Sequence, residues 1–150
     1  MRIPVLLFLL FAMDAARAGS PVSWSFAAAP ATGDTVAISL TAACEPGWHI
    51  YALTLPSDQG PLPTVITVQD DKAYHVAGPA KEPGPEEKDD PNFGMVVRFH
   101  TGVVTFVQPL LRAAGPAFTV KGKAEYMACN DKTCLPPVSV PFELAVPASR

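Results

Sequence analysis

The sequence has 150 residues, of which 49% are hydrophobic and 17% charged, and its formal net charge is −3. This length suits one domain with a core of useful size. The acidic balance, with no basic stripe along the chain, argues against a nucleic-acid partner.

The N-terminus has the layout of an export signal. An early arginine precedes an almost unbroken apolar run at residues 5–13, and small residues stand at Ala16 and Ala18. This pattern predicts a secretory signal peptide over residues 1–18 and a mature domain over 19–150. The run is shorter than the about 20 residues that span a bilayer, and no later segment reaches that length. We therefore expect an exported protein in an oxidising compartment, with no membrane span in the mature chain.

After the leader, apolar and polar residues alternate with a period of two, which is the period of β-strands. Proline is spread through this part of the chain and leaves little room for long helices. A turn at residues 100–102 between two alternating runs predicts a β-hairpin. Roughly seven to nine short strands separated by turn residues predict an all-β fold, an antiparallel β-sandwich. The alternating runs cover residues 22–26, 35–41, 63–69, 95–99, 103–107, 118–127 and 138–146.

Residues 79–92 interrupt this pattern with four prolines and a dense set of charges. We expect an exposed, mobile loop whose paired acids at 86–87 and 89–90 are solvated and not catalytic. No Gly-x-Ser-x-Gly motif is present, so a hydrolase is not indicated. Phe93, at the end of this segment, has two interpretations. It begins the next strand and anchors it to the core, or it is the side chain of a lid.

The chain contains three cysteines, an odd number that leaves one thiol over in an oxidising compartment. Cys129 and Cys134 are separated by four residues, and the intervening Asn130 and Asp131 favour a turn that brings the two sulfurs together. A local bridge is therefore the favoured pairing, with Cys44 at the end of an alternating run left unpaired. A bridge between Cys44 and Cys129 stays open as the alternative.

A cysteine pair of this spacing has three interpretations. A structural bridge that closes so short a loop stabilises the fold by only about 2 kcal/mol. A zinc site requires three or four ligands, but there is no second cysteine pair and His49, His75 and His100 are scattered, so we expect no metal. A redox-active dithiol fits an accessible turn. Spacing alone does not choose among them, since the familiar redox motif has two intervening residues.

Three segments bear on this choice. Residues 126–137 begin Tyr-Met-Ala-Cys and end Cys-Leu-Pro-Pro; Gly-Trp-His-Ile-Tyr stands at 47–51; and Asn-Phe-Gly at 92–94 precedes Val-Val-Thr-Phe at 103–106. Together they resemble the N-terminal periplasmic domain of the thiol:disulfide interchange protein DsbD. The resemblance covers essentially the whole mature chain, and the cysteine-proline segment is its most specific part.

The resemblance implies an immunoglobulin-like antiparallel β-sandwich in the periplasm. Its Cys129/Cys134 pair would take electrons from a thioredoxin-like donor and pass them to periplasmic disulfide isomerases or related oxidoreductases. The resemblance leaves open whether the domain counts as an enzyme, as a component of a protein-disulfide reductase. We expect a monomer that needs no cofactor. The alternative is a non-catalytic immunoglobulin-like binding module whose disulfide is structural.

Residue roles follow from the same resemblance. The second cysteine, Cys134, would be the thiol that is attacked or attacks. Phe93 would be a cap that shields the pair until a partner displaces it. His49 and Tyr51 would lie near the pair on one strand face, since residues two apart share a face, and Tyr126 is also placed near the site. The best-studied family members have five residues between the cysteines, where this chain has four.

Overall fold

The computed structural model describes residues 19–30, 33–113 and 115–148, so the predicted signal peptide lies outside the described residues. Within these ranges the chain forms eleven β-strands and no helix. None of the described segments is therefore a helix that could cross a membrane. The strands are β1 (Val22–Pro30), β2 (Thr35–Cys44), β3 (His49–Tyr51), β4 (Val65–Val68), β5 (Tyr74–Val76), β6 (Glu86–Asp90), β7 (Met95–Thr101), β8 (Val103–Arg112), β9 (Phe118–Tyr126), β10 (Ala128–Cys129) and β11 (Val138–Val146).

The strands pair antiparallel in three sheets, with the orders β1-β2-β8-β5, β10-β3-β7-β6 and β11-β9-β4. The pairs β1–β2 and β6–β7 join consecutive strands, where a short connection allows antiparallel but not parallel pairing, whereas pairs such as β2–β8 and β4–β9 join strands far apart in the chain. The predicted hairpin between β7 and β8 is wrong: β7 pairs with β3 and β6, whereas β8 pairs with β2 and β5, so the two strands lie in different sheets. The chain passes from one sheet to the other at Gly102, whose φ of 61° lies in the left-handed region that glycine adopts without a Cβ clash. The predicted all-β antiparallel sandwich is confirmed.

The main core follows the alternation seen in the sequence. Along β2, every second residue is almost completely buried, namely Val36, Ile38, Leu40 and Ala42. The Trp24 ring from β1 stacks on Phe106 from β8, with ring centroids 5.9 Å apart. Full burial of an aliphatic side chain such as Ile38 or Leu40 stabilises the fold by about 1.5–3 kcal/mol. The period-two pattern therefore decides which face of each strand turns inward.

A second, smaller core lies beside β3, β7 and β10, and it carries the cysteine pair. Strand β3 separates the two cores: Ile50 packs in the main core, whereas Tyr51 packs in the small one. Neighbouring residues on a strand point to opposite faces, so His49 lies on the same side as Tyr51. The small core consists of Tyr51, Val97, Phe99 and Cys129, surrounded by the partly buried Leu55, Phe93, Met95, Met127 and Cys134.

The segment 79–92 is not the mobile loop that its composition predicted. Strand β6 pairs with β7 along its whole length, and Lys81 exchanges backbone hydrogen bonds of 2.8 and 2.9 Å with Val107 on β8. Charged side chains suit β6 because it is an edge strand with one flank open to water. Its last residue, Asp90, is nevertheless only 1% exposed, so the expectation that all four acids are solvated is wrong. Short or charged strands such as β5 and β6 also explain why eleven strands form where seven to nine were expected.

Candidate redox-active site

Cys129 and Cys134 form a disulfide, with their Cα atoms 4.1 Å apart. Cys44 is a free, half-buried thiol at the end of β2, so the alternative bridge between Cys44 and Cys129 is wrong. The structure therefore brings together the two cysteines that the sequence placed in the site. Their role in exchange is a separate matter, which depends on access to the sulfurs.

The four residues between the cysteines, 130–133, form a tight turn that we call the cysteine loop. The side-chain Oδ1 of Asn130 accepts hydrogen bonds from the backbone N–H groups of Lys132 (2.9 Å) and Thr133 (2.8 Å). The Asn130 N–H in turn donates to the Thr133 carbonyl at 2.9 Å. An asparagine that hydrogen-bonds the backbone two residues on is a strong turn former. The turn predicted from Asn130 is therefore present, and it returns the chain to place Cys134 beside Cys129.

The two cysteines differ in exposure. Cys129 lies on β10 directly opposite His49 of β3 and is completely buried. Cys134 lies outside the sheet, bridged to Cys129, and is half-buried. A thiolate attacks a disulfide along the line of the two sulfurs, so access to one sulfur decides which bond forms. Of the two bridged cysteines, Cys134 is therefore the one that reaches the surface.

A buried polar cluster lies in the small core next to Cys129. The Tyr51 hydroxyl donates a 2.6 Å hydrogen bond to Oδ2 of Asp90, at the end of β6. The Nε2 atom of His49 lies 3.3 Å from the Tyr51 hydroxyl and 3.7 Å from Oδ2 of Asp90. Asp90 is the site residue that the sequence analysis missed. Its one signal was the Asp-Pro-Asn start of a turn directly before Phe93, which the surrounding run of charges obscured.

The charge state of this cluster follows from its contacts. Burial disfavours the charged form of Asp90, but hydrogen bonds from the Tyr51 hydroxyl and the Asn92 N–H outweigh it and hold the pKa of Asp90 below its ordinary value. Burial lowers the pKa of His49, and the positive charge of Lys88 adds to this against the opposing effect of Asp90. Burial and then the hydrogen bond to Asp90 raise the pKa of Tyr51. At neutral pH the cluster therefore carries one negative charge, on Asp90.

Residues 91–94 connect β6 to β7, and we call them the cap turn. The Asp90 carbonyl accepts hydrogen bonds from the N–H groups of Phe93 (3.2 Å) and Gly94 (2.7 Å), and Gly94 has a φ of 61°. The Asn92 N–H donates to Oδ1 of Asp90 at 2.8 Å. Asp90 thus holds the base of the cap turn and the Tyr51 hydroxyl at the same time.

Phe93 lies within the cap turn and not at the start of β7, which begins at Met95. Its half-buried ring packs against the small core that contains the disulfide and meets the Tyr51 ring edge-on, with centroids 6.3 Å apart. Phe93 and Cys134 are thus both partly buried residues packed against the same small core.

One ion pair also reaches the cysteine loop from β6. The Lys88 ammonium lies 3.4 Å from a carboxylate oxygen of Asp131 and 4.7 Å from the centre of the Phe99 ring. Both partners of this pair are exposed, and exposed pairs contribute little to stability. Besides burial, the positive charge of Lys88 lowers the pKa of His49, and the negative charge of Asp131 opposes that effect.

Tyr126 is the one predicted site residue that the structure does not bring to the disulfide. Its ring packs in the main core against Trp24, with centroids 5.4 Å apart, and its hydroxyl lies 3.2 Å from Oγ of Ser20. Tyr126 ends β9 and Cys129 ends β10, and side chains alternate along this stretch: Tyr126 and Ala128 pack in the main core, whereas Met127 and Cys129 pack in the small one.

Comparison with solved structures supports the architecture. The N-terminal domain of DsbD from Neisseria meningitidis in the reduced form is 19% identical, with a TM-score of 0.54 over 82% of this chain and 86% of that one. The complex between the DsbD and PilB N-terminal domains from the same species gives 19% identity and a TM-score of 0.57 over 87% of each chain. The N-terminal periplasmic domain of ScsB from Proteus mirabilis gives 18% identity and a TM-score of 0.56, over 84% of this chain and 46% of that one. These likenesses confirm the predicted immunoglobulin-like β-sandwich.

Sequence comparison places the chain in a family. No curated protein matches it. The family model described as "Thiol:disulfide interchange protein DsbD, N-terminal" matches residues 20–145, which is most of the chain and includes both bridged cysteines. The disulfide, the buried cluster and the cap turn thus occur in a chain that belongs to the family of DsbD N-terminal domains, whose chemistry is thiol–disulfide interchange.

Proposed function

We propose that this domain relays reducing equivalents in the periplasm through the Cys129–Cys134 disulfide. Its donor is a thioredoxin-like protein or domain, and its acceptors are oxidised periplasmic oxidoreductases such as disulfide isomerases. The observation that carries the proposal is the asymmetry of the bridge, in which Cys129 is completely buried and Cys134 is half-buried. A structural staple has no need of an open side, whereas exchange requires one.

The relay consists of two exchange reactions. A donor thiolate attacks Sγ of Cys134, which forms a donor–Cys134 disulfide and releases Cys129 as a thiolate. The donor's second thiolate then attacks the donor sulfur of that mixed disulfide, releases Cys134 and leaves the donor oxidised. The reduced domain transfers the same two electrons onward when the Cys134 thiolate attacks an acceptor disulfide and Cys129 resolves the new bond. The thiolates exchange protons with solvent, and no other reactant is consumed.

The buried cluster and the cap turn have supporting roles in this proposal. Phe93 is the cap, because its ring packs on the small core beside the bridge and has to move before a protein surface reaches Cys134. His49 and Tyr51 shape the wall next to Cys129, and Asp90 holds them in place. The solved complex of a DsbD N-terminal domain with a PilB N-terminal domain supports a protein as the reaction partner.

Trapping of mixed disulfides tests the relay. In Cys129→Ser, the accessible Cys134 thiol attacks an oxidised periplasmic disulfide isomerase and has no resolving thiol, so a covalent complex should accumulate. In Cys134→Ser, the remaining Cys129 is completely buried, and we expect at least about tenfold less complex, since exchange requires access. Non-reducing electrophoresis and mass spectrometry measure both. If neither variant forms the complex, the relay proposal fails.

The reduction potential separates the relay from a binding module with a structural disulfide. A structural bridge has a potential below about −300 mV and resists glutathione, whereas a relay bridge is easier to reduce. Equilibration of the domain with glutathione redox buffers, followed by alkylation of free thiols, measures this potential. We expect a value above about −300 mV, and a lower one would favour the binding module.

A further inference from the structure

The side chain of Asn92 connects the cap turn to the cysteine loop. Its Nδ2 donates a 2.8 Å hydrogen bond to the backbone carbonyl of Asn130, the residue that follows Cys129. The backbone N–H of the same Asn92 is bound to Asp90 at the base of the cap turn. Asn92 therefore spans from the buried cluster, through the cap turn, to the backbone beside the disulfide.

Asn130 uses its side-chain oxygen and its N–H inside the cysteine loop, and its backbone carbonyl bonds to a residue outside that loop. The Asn130 side-chain oxygen is occupied by two N–H groups within the cysteine loop, and its N–H is bound to Thr133. These contacts lie within the cysteine loop and involve no residue of the cap turn. Opening the cap turn breaks the bond from Asn92 and frees the carbonyl.

We propose that Asn92 is a specificity-determining residue, because its amide occupies the Asn130 carbonyl until a polypeptide partner donates its own backbone N–H to that carbonyl. This inference rests on the proposed exchange function. A protein that brings a cysteine to Cys134 also brings the backbone N–H groups that flank its cysteine. Such a partner protein can therefore replace the Asn92–Asn130 hydrogen bond that is lost when the cap turn opens, because a carbonyl accepts from any N–H of suitable geometry.

A small thiol has no donor that a docked protein surface holds against this carbonyl, and the two hydroxyl groups of dithiothreitol compete for it only as water does. Dithiothreitol can attack Cys134 only after the cap turn opens, and it leaves the Asn130 carbonyl to water. The net contribution of a hydrogen bond of this kind is about 0.5–1.5 kcal/mol, which corresponds to a rate factor of about two to ten. The hydrogen bond from Asn92 to the Asn130 carbonyl thus slows reduction of the disulfide by small thiols more than it slows reduction by proteins.

The experiment measures disulfide reduction in three variants. Asn92→Ala removes the donor, and Asn92→Asp replaces it with a carboxylate that cannot donate and repels the carbonyl. Thr41→Val is the matched control, because it removes an exposed side-chain hydrogen bond of 2.9 Å between β2 and β8, away from the site. Each protein is reduced under pseudo-first-order conditions by dithiothreitol and, separately, by reduced bacterial thioredoxin. Urea unfolding of each protein measures its stability.

We expect Asn92→Ala and Asn92→Asp to be reduced by dithiothreitol about two to ten times faster than the natural domain. With thioredoxin the rate should change by less than about twofold, so the ratio of protein to small-thiol reactivity falls. Thr41→Val should leave both rates unchanged at a similar urea midpoint.

Two results overturn the proposal while the relay stands. One is an unchanged dithiothreitol rate in both Asn92 variants, and the other is an equal acceleration of both reductants, which describes a simple gate without selectivity. A natural domain that dithiothreitol reduces but thioredoxin and other protein dithiols do not would refute the relay itself, and the role of Asn92 with it.

Discussion

Among the hydrogen bonds that lower the pKa of the buried Asp90, the one from the Tyr51 hydroxyl has the largest effect. Tyr51→Phe is therefore the most informative single test of the buried cluster. It removes the 2.6 Å bond to Oδ2 of Asp90 and leaves a carboxylate that is 1% exposed without one of its donors. Hydrogen bonds to charged groups contribute about 1.5–3 kcal/mol. We therefore expect the free energy of unfolding at pH 7 to fall by about 2 kcal/mol.

The effect of this substitution should depend on pH. The folded pKa of Asp90 lies below its unfolded value, so its contribution is present above the unfolded pKa of about 3.9 and is lost as pH falls through the lower, folded pKa. Once Asp90 is protonated, Tyr51 donates only to a neutral carbonyl oxygen. The difference between Tyr51→Phe and the natural domain should therefore shrink below about pH 4, towards the roughly 1 kcal/mol of a neutral hydrogen bond.

Tyr74→Phe is the matched control. Tyr74 is also buried, but its hydroxyl donates at 2.7 Å to the neutral backbone carbonyl of Gln69. Urea unfolding at several pH values between 3 and 7 compares the two variants. We expect Tyr74→Phe to cost about 1 kcal/mol at every pH. A Tyr51→Phe loss that is absent at pH 7, or that stays constant down to pH 3, would refute the account of Asp90 as a buried, hydrogen-bonded carboxylate.

Three further predictions concern other parts of the domain. In Gly122→Ala the added Cβ would clash with the β4 backbone and with the Phe142 ring, so the free energy of unfolding should fall by at least about 2 kcal/mol. Gly84→Ala is the control, because its Cβ has open space. Equal urea midpoints for the two variants would contradict this packing. Burial raises the pKa of Cys44 to about 11, so iodoacetamide should alkylate it about a hundredfold more slowly at pH 7 than an exposed thiol, and ordinary reactivity would count against its burial. Phe93→Ala should speed reduction by dithiothreitol about tenfold if about 1.4 kcal/mol of apolar contact holds the cap, and an unchanged rate would remove Phe93 from that role.

Much of the fold could be predicted because it depends on local pattern. The alternation of β2 and β11 decides which side chains point inward, since successive residues of a strand face opposite sides. The turn at Asn130 was predictable for the same reason, because its side chain bonds N–H groups two and three residues on. Strand β6 was missed because its five residues are all charged, and no alternation shows that its backbone pairs with β7.

An all-β domain with a local cysteine pair was predictable from the sequence, since both depend on residues close together in the chain. The surroundings of that pair depend on contacts between residues far apart in the chain. Asp90 meets Tyr51 across 39 residues, and Asn92 reaches the backbone of the cysteine loop across 38. The same packing buries Cys129 completely and leaves Cys134 half-buried. Burial and hydrogen-bond partners depend on which distant strands pack together, and no local pattern encodes that.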